Sequence, residues 1–184
     1  MKSIDLRRGQ EIAIEGKNYI IIECVEGTKF KVLAKEHLNY LFDKNNDDHY
    51  LNSSIARYLD NDYYSSLPES IRNAIVEISI EQKIVKAIKE NKPVWLDKIR
   101  DAGIHKVFVP SYDEIVQVYG PYLRVFAPAS WIWLRDACTG NACLIVSGGI
   151  LLKGVPYEDW YHYVRPAFVI DLSKVSYTVD SWLK

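Results

Sequence analysis

At 184 residues, with 48% hydrophobic and 26% charged side chains, the chain has ordinary globular proportions and enough length to bury one full core. The net charge of −1 and isoelectric point of about 6.4 do not imply a broad phosphate-binding face, although they leave room for a local basic patch, and they do not imply an electronegative inhibitor either. Three cysteines at irregular spacing, Cys24, Cys138 and Cys143, exclude a disulfide framework.

The opening "MKSIDLRRGQEIAI" is charged and then alternates, without the apolar core of a signal peptide. No run approaches the roughly 18 apolar residues of a membrane span. The expectation is a cytoplasmic, non-membrane protein. The segment "QEIAIEGKNYIIIECVEGTKFKVLAKEHL" contains three apolar runs parted at Glu15-Gly16-Lys17 and Glu26-Gly27-Thr28, which predicts a three-stranded meander. "DKNNDDHY" then reads as a polar loop.

Helical signals follow. Ile55, Tyr58 and Leu59 share a face, and Ser66 stands three residues before Glu69, with Pro68 in the first turn, as in a capping box. Val76, Ile78 and Ile80 alternate and favour a short strand, with a continuous helix as the close rival. "EQKIVKAIKENKP" places Ile84, Val85 and Ile88 on one helical face and Pro93 past its end, which predicts a helix. "KVFVP" predicts a short buried strand. Ser111 and Glu114 stand at capping-box spacing and Gly120-Pro121 closes the segment, so a helix is expected from Tyr112 to Tyr119.

After Pro128 the apolar runs "WIWLR", "CLIV", "ILLK" and "YVRPAFVIDL" read as strands, with "SGG" as a hairpin turn. Trp131 and Trp133 are two residues apart and so share one face of their strand. They are expected to be structural. Arg135 and Arg165 each follow an apolar run and cannot shed their charge, so each is expected to tie strands to loops through carboxylate or carbonyl partners. Asp113, Asp136 and Asp171 are the available acids. The order strands, helices, strands predicts one α+β domain, an antiparallel sheet with helices to one side.

Four segments, "GQEIAIEGKNYIIIECVEGTKFKVLAKEHL", "SSIARYLDNDYYSSLPESIRNAIV", "KVFVPSYDEIVQVYG" and "WIWLR…VSGGIL…YVRPAFVID", together resemble the bacterial and phage domain-of-unknown-function family 6273. That family's pattern runs from a G-x-x-V/I hairpin through S-x-L-R-x-x-L-N-x-x-F to W-W-L-R-S and V-R-P-A-L. The closing W-I-W-L-R and V-R-P pair also looks like the C-terminal half of C-type-lectin-like folds, including the formylglycine-generating group. The resemblance implies a lectin-like architecture with its variable loops between Asp136 and Tyr163. This sequence departs from the pattern at Asp60, where the family has Asn, at Asp136, where it has Ser, and at Phe168, where it has Leu. The stretch Glu81–Gly103 is longer and more charged than the pattern and reads as an insertion within the single domain 1–184.

The chemistry-bearing motifs are weak. Asp43, Asn45 and Asp47 stand at the first three ligand positions of an EF-hand, but Asp48 replaces the turn glycine and Ser54 the bidentate glutamate. Cys138 and Cys143 suit a soft metal such as the copper of the formylglycine-generating group, yet no third ligand is spaced beside them. Cys138 with His105 or His162 lacks the marks of an activated nucleophile. No H-E-x-x-H, Walker loop, G-x-S-x-G or G-x-G-x-x-G is present. No metal or cofactor is therefore expected.

With thirteen tyrosines and five tryptophans, the chain is rich in contact-forming rings, and "PYEDWYHY" sets several beside acids. Tyr157, Trp160 and Tyr161 are the expected partner-binding residues. The expected function is a non-catalytic binding module for a protein partner, touching nucleic acid only through a protein complex. A narrower version is a phage or mobile-element inhibitor of a host defence system such as a CRISPR nuclease. The alternative is a metal- or thiol-dependent enzyme related to the formylglycine-generating oxidoreductases.

Overall fold

The computed structural model describes residues 4–40, 49–120, 131–138, 142–148, 150–153 and 162–182. The meander forms as expected: β1 (Gln10–Ile14), β2 (Lys17–Glu26) and β3 (Lys29–Ala34) pair in sequence. The first turn is two residues long, with Glu15 and Gly16 both at positive φ, the backbone that matches the twist of tight hairpins. β4 (Leu38–Tyr40) follows.

Ser53 caps α1 (Ser54–Tyr58), its hydroxyl accepting from the Ala56 N–H. The helix then widens into a single π-helical stretch at Leu59–Tyr63 before α2 (Tyr64–Ser66) and α3 (Glu69–Ala74). The Ser66–Glu69 capping box does not form. Ser66 instead donates back to the Tyr63 carbonyl, and Pro68 stands at the N-cap of α3 without a side-chain bond.

β5 (Ile75–Val76) leads into the largest departure from the sequence reading. The expected helix over "EQKIVKAIKENKP" is part of a long antiparallel hairpin, β6 (Ile78–Lys89) and β7 (Lys92–His105), turned at Glu90-Asn91 with both residues at positive φ. The inward positions of β6 are Ile80, Gln82 and Ile84, a period of two that the polar Gln82 conceals. Gln82 is buried because both ends of its amide are used: it accepts from the Tyr50 N–H and donates to the Arg135 carbonyl.

β8 (Val107–Phe108) is followed by α4 (Tyr112–Tyr119), whose capping box is complete on both sides. The last strands are β9 (Trp131–Cys138), β10 (Ala142–Ser147), β11 (Ile150–Lys153), β12 (His162–Val164), β13 (Ala167–Asp171) and β14 (Thr178–Trp182).

Among the described residues these strands form two seven-stranded sheets rather than one. The first is antiparallel, ordered β14-β1-β2-β3-β13, with β5 and β8 both pairing to β13. The second is mixed. β10 and β11 extend antiparallel from one edge of β9, while β12 and β6 both lie parallel along its other edge. The fold class is therefore α+β with mixed strand pairing.

Enclosure on both edges explains β9. From Ile132 to Cys138 every residue is buried, as in a central strand covered on both faces. Trp133 is 3% exposed, whereas Trp131 at the strand's start is 37% exposed. The chain crosses from the second sheet to the first at Arg165-Pro166. Arg165 secures that crossing by donating to the Ala34 carbonyl and the Tyr119 hydroxyl. One apolar cluster draws on both sheets and the helices, with Tyr19, Phe30, Phe108 and Phe168 among its largest fully buried members.

The π-helical stretch has its own tether. Asp60 accepts the backbone N–H groups of Lys106 and Val107 through one oxygen and bonds His105 Nδ1 through the other. His105 Nε2 faces the Ala102 carbonyl at 2.6 Å. Burial lowers the pKa of this imidazole, but the Asp60 and Ala102 bonds outweigh burial and raise it. The folded state thus favours the imidazolium.

Two outcomes are expected. Trp133→Ala should destabilise by about 3–5 kcal/mol in denaturant titration, as for other buried aromatics. The His105 contribution should be complete below its unfolded pKa of about 6.5 and be lost as pH rises through its higher folded value. Wild-type melting temperature should therefore fall across that window, and Asp60→Asn should flatten the fall. An unchanged slope in Asp60→Asn would assign the titration to another group.

Candidate functional site

A cavity of about 440 Å³ opens where β3, β6, β9 and α4 meet. Its lining includes Lys31, Glu81, Lys83, Glu114, Arg135 and Asp136. Their placement follows from the strands. Arg135 and Asp136 continue the apolar run of β9 and are carried inside with it, so each must find partners there.

Arg135 is fully engaged with acceptors. Nε donates to the Glu81 carbonyl and Nη1 to the Val109 carbonyl, both at 2.7 Å. Nη2 lies 3.4 Å from the Glu114 carboxylate, and the guanidinium sits 5.4 Å from the Phe108 ring centre. The ionic partner is Glu114, an acid read from the sequence only as a helix cap. Asp171 serves elsewhere, accepting from Thr28 and Ser173.

Glu114 carries two tasks at once. One oxygen accepts from the Ser111 N–H to complete the capping box, and the other takes Lys31 Nζ at 2.8 Å. Lys31 also reaches Glu23 at 2.5 Å, giving a continuous chain Glu23–Lys31–Glu114–Arg135. Burial alone would raise the Glu114 carboxyl, but Arg135, Lys31 and the Ser111 N–H hold it down at about 2.

Asp136 is fully buried. Its two oxygens accept the backbone N–H groups of Lys83, at 3.1 Å, and Tyr112, at 2.7 Å. It thus fastens β6 and the start of α4 to β9. Burial pushes its carboxyl up to about 6, against the opposing pull of Arg135 and the two N–H donors. Neighbouring carboxyls with pKa values driven apart can mark an acid and a base. Here the carboxyl titrating near neutrality has no exposed surface, and both its oxygens already hold backbone donors. That arrangement suits fastening rather than proton transfer.

The rim has a different character. Lys83 pairs with Asp113 at 2.5 Å and lies 5.4 Å from the Trp95 ring, which meets Tyr112 edge-on at 6.1 Å. Cross-strand partners share a face, so Ile99 and Ile104, opposite Lys83 and Ser79, extend this face along β7. They are 56% and 69% exposed.

The other sequence candidates are placed as follows. Tyr157, Trp160 and Tyr161 lie outside the described residues, as does the Asp43, Asn45 and Asp47 loop. Cys138 is buried, and the register sets it opposite Ala142, while Cys143 stands opposite Ala137. The His105 nitrogens face Asp60 and Ala102, so no Cys138–His105 pair forms. Among the described residues no group of three or more His, Cys, Asp or Glu side chains is placed to hold a metal, and no helix is long and apolar enough to cross a membrane.

Sequence reading overlooked Lys31, Glu23 and Glu114 as a charge chain. Lys31 alternates with inward Phe30 and Val32 on an ordinary strand, so nothing local marks it.

Residues 26–172 match the family described as Domain of unknown function (DUF6273), and the chain belongs to that family. No curated protein and no solved structure matches it.

Glu114→Gln should cost about 3–5 kcal/mol, because Arg135 and Lys31 lose the charge that compensates their burial. The pH signature is specific. A lowered carboxyl stabilises above its unfolded value of 4.5 and loses that contribution as pH falls toward about 2. Asp136, raised from 3.8 to about 6, runs the other way and costs stability as pH rises between those values. Acid titration of Glu114→Gln should lack the fall below pH 4.5 that the wild type shows. A parallel curve would mean Glu114 is not the group responsible.

Proposed function

We propose that this member of the family is a non-catalytic binding module whose contact surface is the outer edge and exposed face of β7. The observation that carries this is an edge strand of 14 residues that holds Ile99 and Ile104 in solvent beside the charged cavity rim. Among the described residues β7 pairs only with β6. An unpaired edge offers a row of backbone donors and acceptors, and an extended segment of a partner satisfies them by adding as a strand. Exposed aliphatics next to Trp95 and Lys83 supply side-chain contact of the kind that concentrates binding energy.

Charge along β7 favours a different protein over a second copy. Antiparallel self-pairing centred on Ile99 would set Lys98 against Arg100 and Asp97 against Asp101, like against like, which destabilises a strand pair. Pro93 and the lysines are also the residues that discourage indiscriminate edge pairing.

Two narrower readings belong to the same proposal. A C-type-lectin-like kinship is supported by the W-I-W-L-R and V-R-P motifs, which fall on β9 and on the β12–β13 crossing. A partner drawn from a host defence system, such as a CRISPR nuclease, is the special case that the phage and mobile-element setting of the family brings forward.

The test is capture of a protein partner by wild type and by the double variant Ile99→Asp/Ile104→Asp. The variant should lose at least about 2 kcal/mol of binding while melting as the wild type does, since both residues are exposed. Equal capture by both proteins would remove β7 from the interface. If Trp160→Ala loses the partner and the β7 variant keeps it, the contact surface lies in the loop bearing Tyr157, Trp160 and Tyr161.

A further inference from the structure

The β6–β7 hairpin breaks register near the end of β7. Ser79 stands opposite Ile104 and Glu81 opposite Asp101, so β6 advances two residues while β7 advances three. Ala102 and Gly103 form the bulge, with Gly103 at a φ of +92°. In an unbroken strand, positions 99 and 104 would point to opposite faces. The bulge turns Ile104 onto the face that carries Ile99 and Asp101, and it sends His105 to the buried face.

The outer face of β7 therefore reads apolar, acidic, apolar: Ile99, Asp101, Ile104. Glu81 stands beside Asp101 on β6, and all four side chains are exposed. Two carboxylates directly opposite each other destabilise a strand pair. Among the described residues neither forms an ion pair. Lys83, on the same face, feels the Glu81 carboxylate but is bound to Asp113. Both acids are nonetheless held in position. The Glu81 carbonyl accepts from Arg135 Nε, which fixes the backbone beneath its carboxylate, and one Asp101 oxygen accepts the Gly103 N–H at 2.9 Å. A like-charged pair set between two exposed isoleucines breaks a local rule with no return inside the fold. Such violations collect where a chain meets something else.

The spacing says what fits. β6 meets Ile99, Asp101 and Ile104 with every second residue, Lys83, Glu81 and Ser79. A strand laid on the open edge of β7 meets the same three at the same spacing. It places apolar side chains opposite the isoleucines and one side chain opposite Asp101, beside Glu81. A carboxylate there would add a third like charge, and a neutral group would leave the first two opposed. A guanidinium suits the position best, because its planar fork offers donors to both acids.

We infer that the partner strand received by β7 carries an arginine with apolar residues two positions to either side, its guanidinium seated between Glu81 and Asp101. The inference rests on the reading of β7 as the contact surface and names the chemistry of its partner.

The test titrates the full-length chain with two capped peptides of seven residues. One has a central arginine, isoleucine two positions to either side and threonine elsewhere. The other replaces the arginine with glutamate. Binding is followed by NMR at the backbone amides of Ile99, Asp101 and Ile104. The arginine peptide should bind saturably and at least about tenfold more tightly than the glutamate peptide, since reversing the charge sets like against like. Added salt should narrow the difference. Glu81→Gln/Asp101→Asn keeps an acceptor for the Gly103 N–H and should abolish the preference. It should melt at the wild-type temperature or higher, because it relieves the like-charged pair. Equal binding of the two peptides at these signals would keep the β7 surface and overturn the arginine. A preference that survives Glu81→Gln/Asp101→Asn would also overturn it. If neither peptide moves these signals, the β7 surface falls with it. A wild-type dimer in sedimentation that Ile99→Asp/Ile104→Asp dissolves would seat a second copy on the edge and overturn it as well.

Discussion

A guanidinium that cannot lose its proton, set in the most enclosed strand of the protein, is the constraint on which the rest of the architecture turns. Arg135 follows Trp133 and Leu134 into the interior of β9 because the strand is covered on both edges. Its charge is met there by two carbonyls and by Glu114. Each of those partners belongs to a different part of the fold: Glu81 to β6, Val109 to the chain after β8, Glu114 to α4. Burying one arginine therefore fixes three elements relative to β9. Lys31 extends the same ionic chain to β3 and so joins the first sheet to the second.

Asp136 completes the arrangement from the neighbouring position by accepting the first N–H of α4, from Tyr112, and that of Lys83 in the middle of β6. The Asp136 carboxylate receives two backbone donors in a fully buried site. Such groups are expensive to bury and are tolerated when they specify a single arrangement. What is specified is the direction in which the β6–β7 hairpin leaves the body. The hairpin's inner strand is tied to β9 through Gln82, Asp136 and Arg135, and its outer strand is left at the surface. A rigid inner strand carrying an exposed outer one is a suitable support for a recognition edge.

Much of the fold was legible because its signals were local. The meander turns, the Ser111–Glu114 capping box and the helix to Tyr119 need only neighbouring residues, and all three stand where the sequence placed them. The β6–β7 hairpin was hidden because its inward alternation passes through Gln82, whose burial depends on Tyr50 and on Arg135, 32 and 53 residues away. Ile84, Val85 and Ile88 then fit a helix equally well. The second sheet was missed for the same reason, since parallel pairing of β6 and β12 along β9 rests on contacts distant in sequence. The arginines were legible as inward cations, but not their partners. Glu114 looked like a cap and nothing more, and Asp60 looked like a departure from a pattern until His105 was found beside it.

The chain thus presents an apolar edge beside a satisfied ionic cluster. That edge depends on a body held rigid by the ionic chain through Arg135. The most direct test of that dependence is a double-mutant cycle in denaturant with Arg135→Met, Glu114→Gln and the pair. If Arg135 and Glu114 act as one buried unit, the second substitution should cost far less once the first is made, giving a coupling energy of about 2–3 kcal/mol, at the upper end of what neighbouring residues show. Additivity to within about 0.5 kcal/mol, the behaviour of independent sites, would contradict the account.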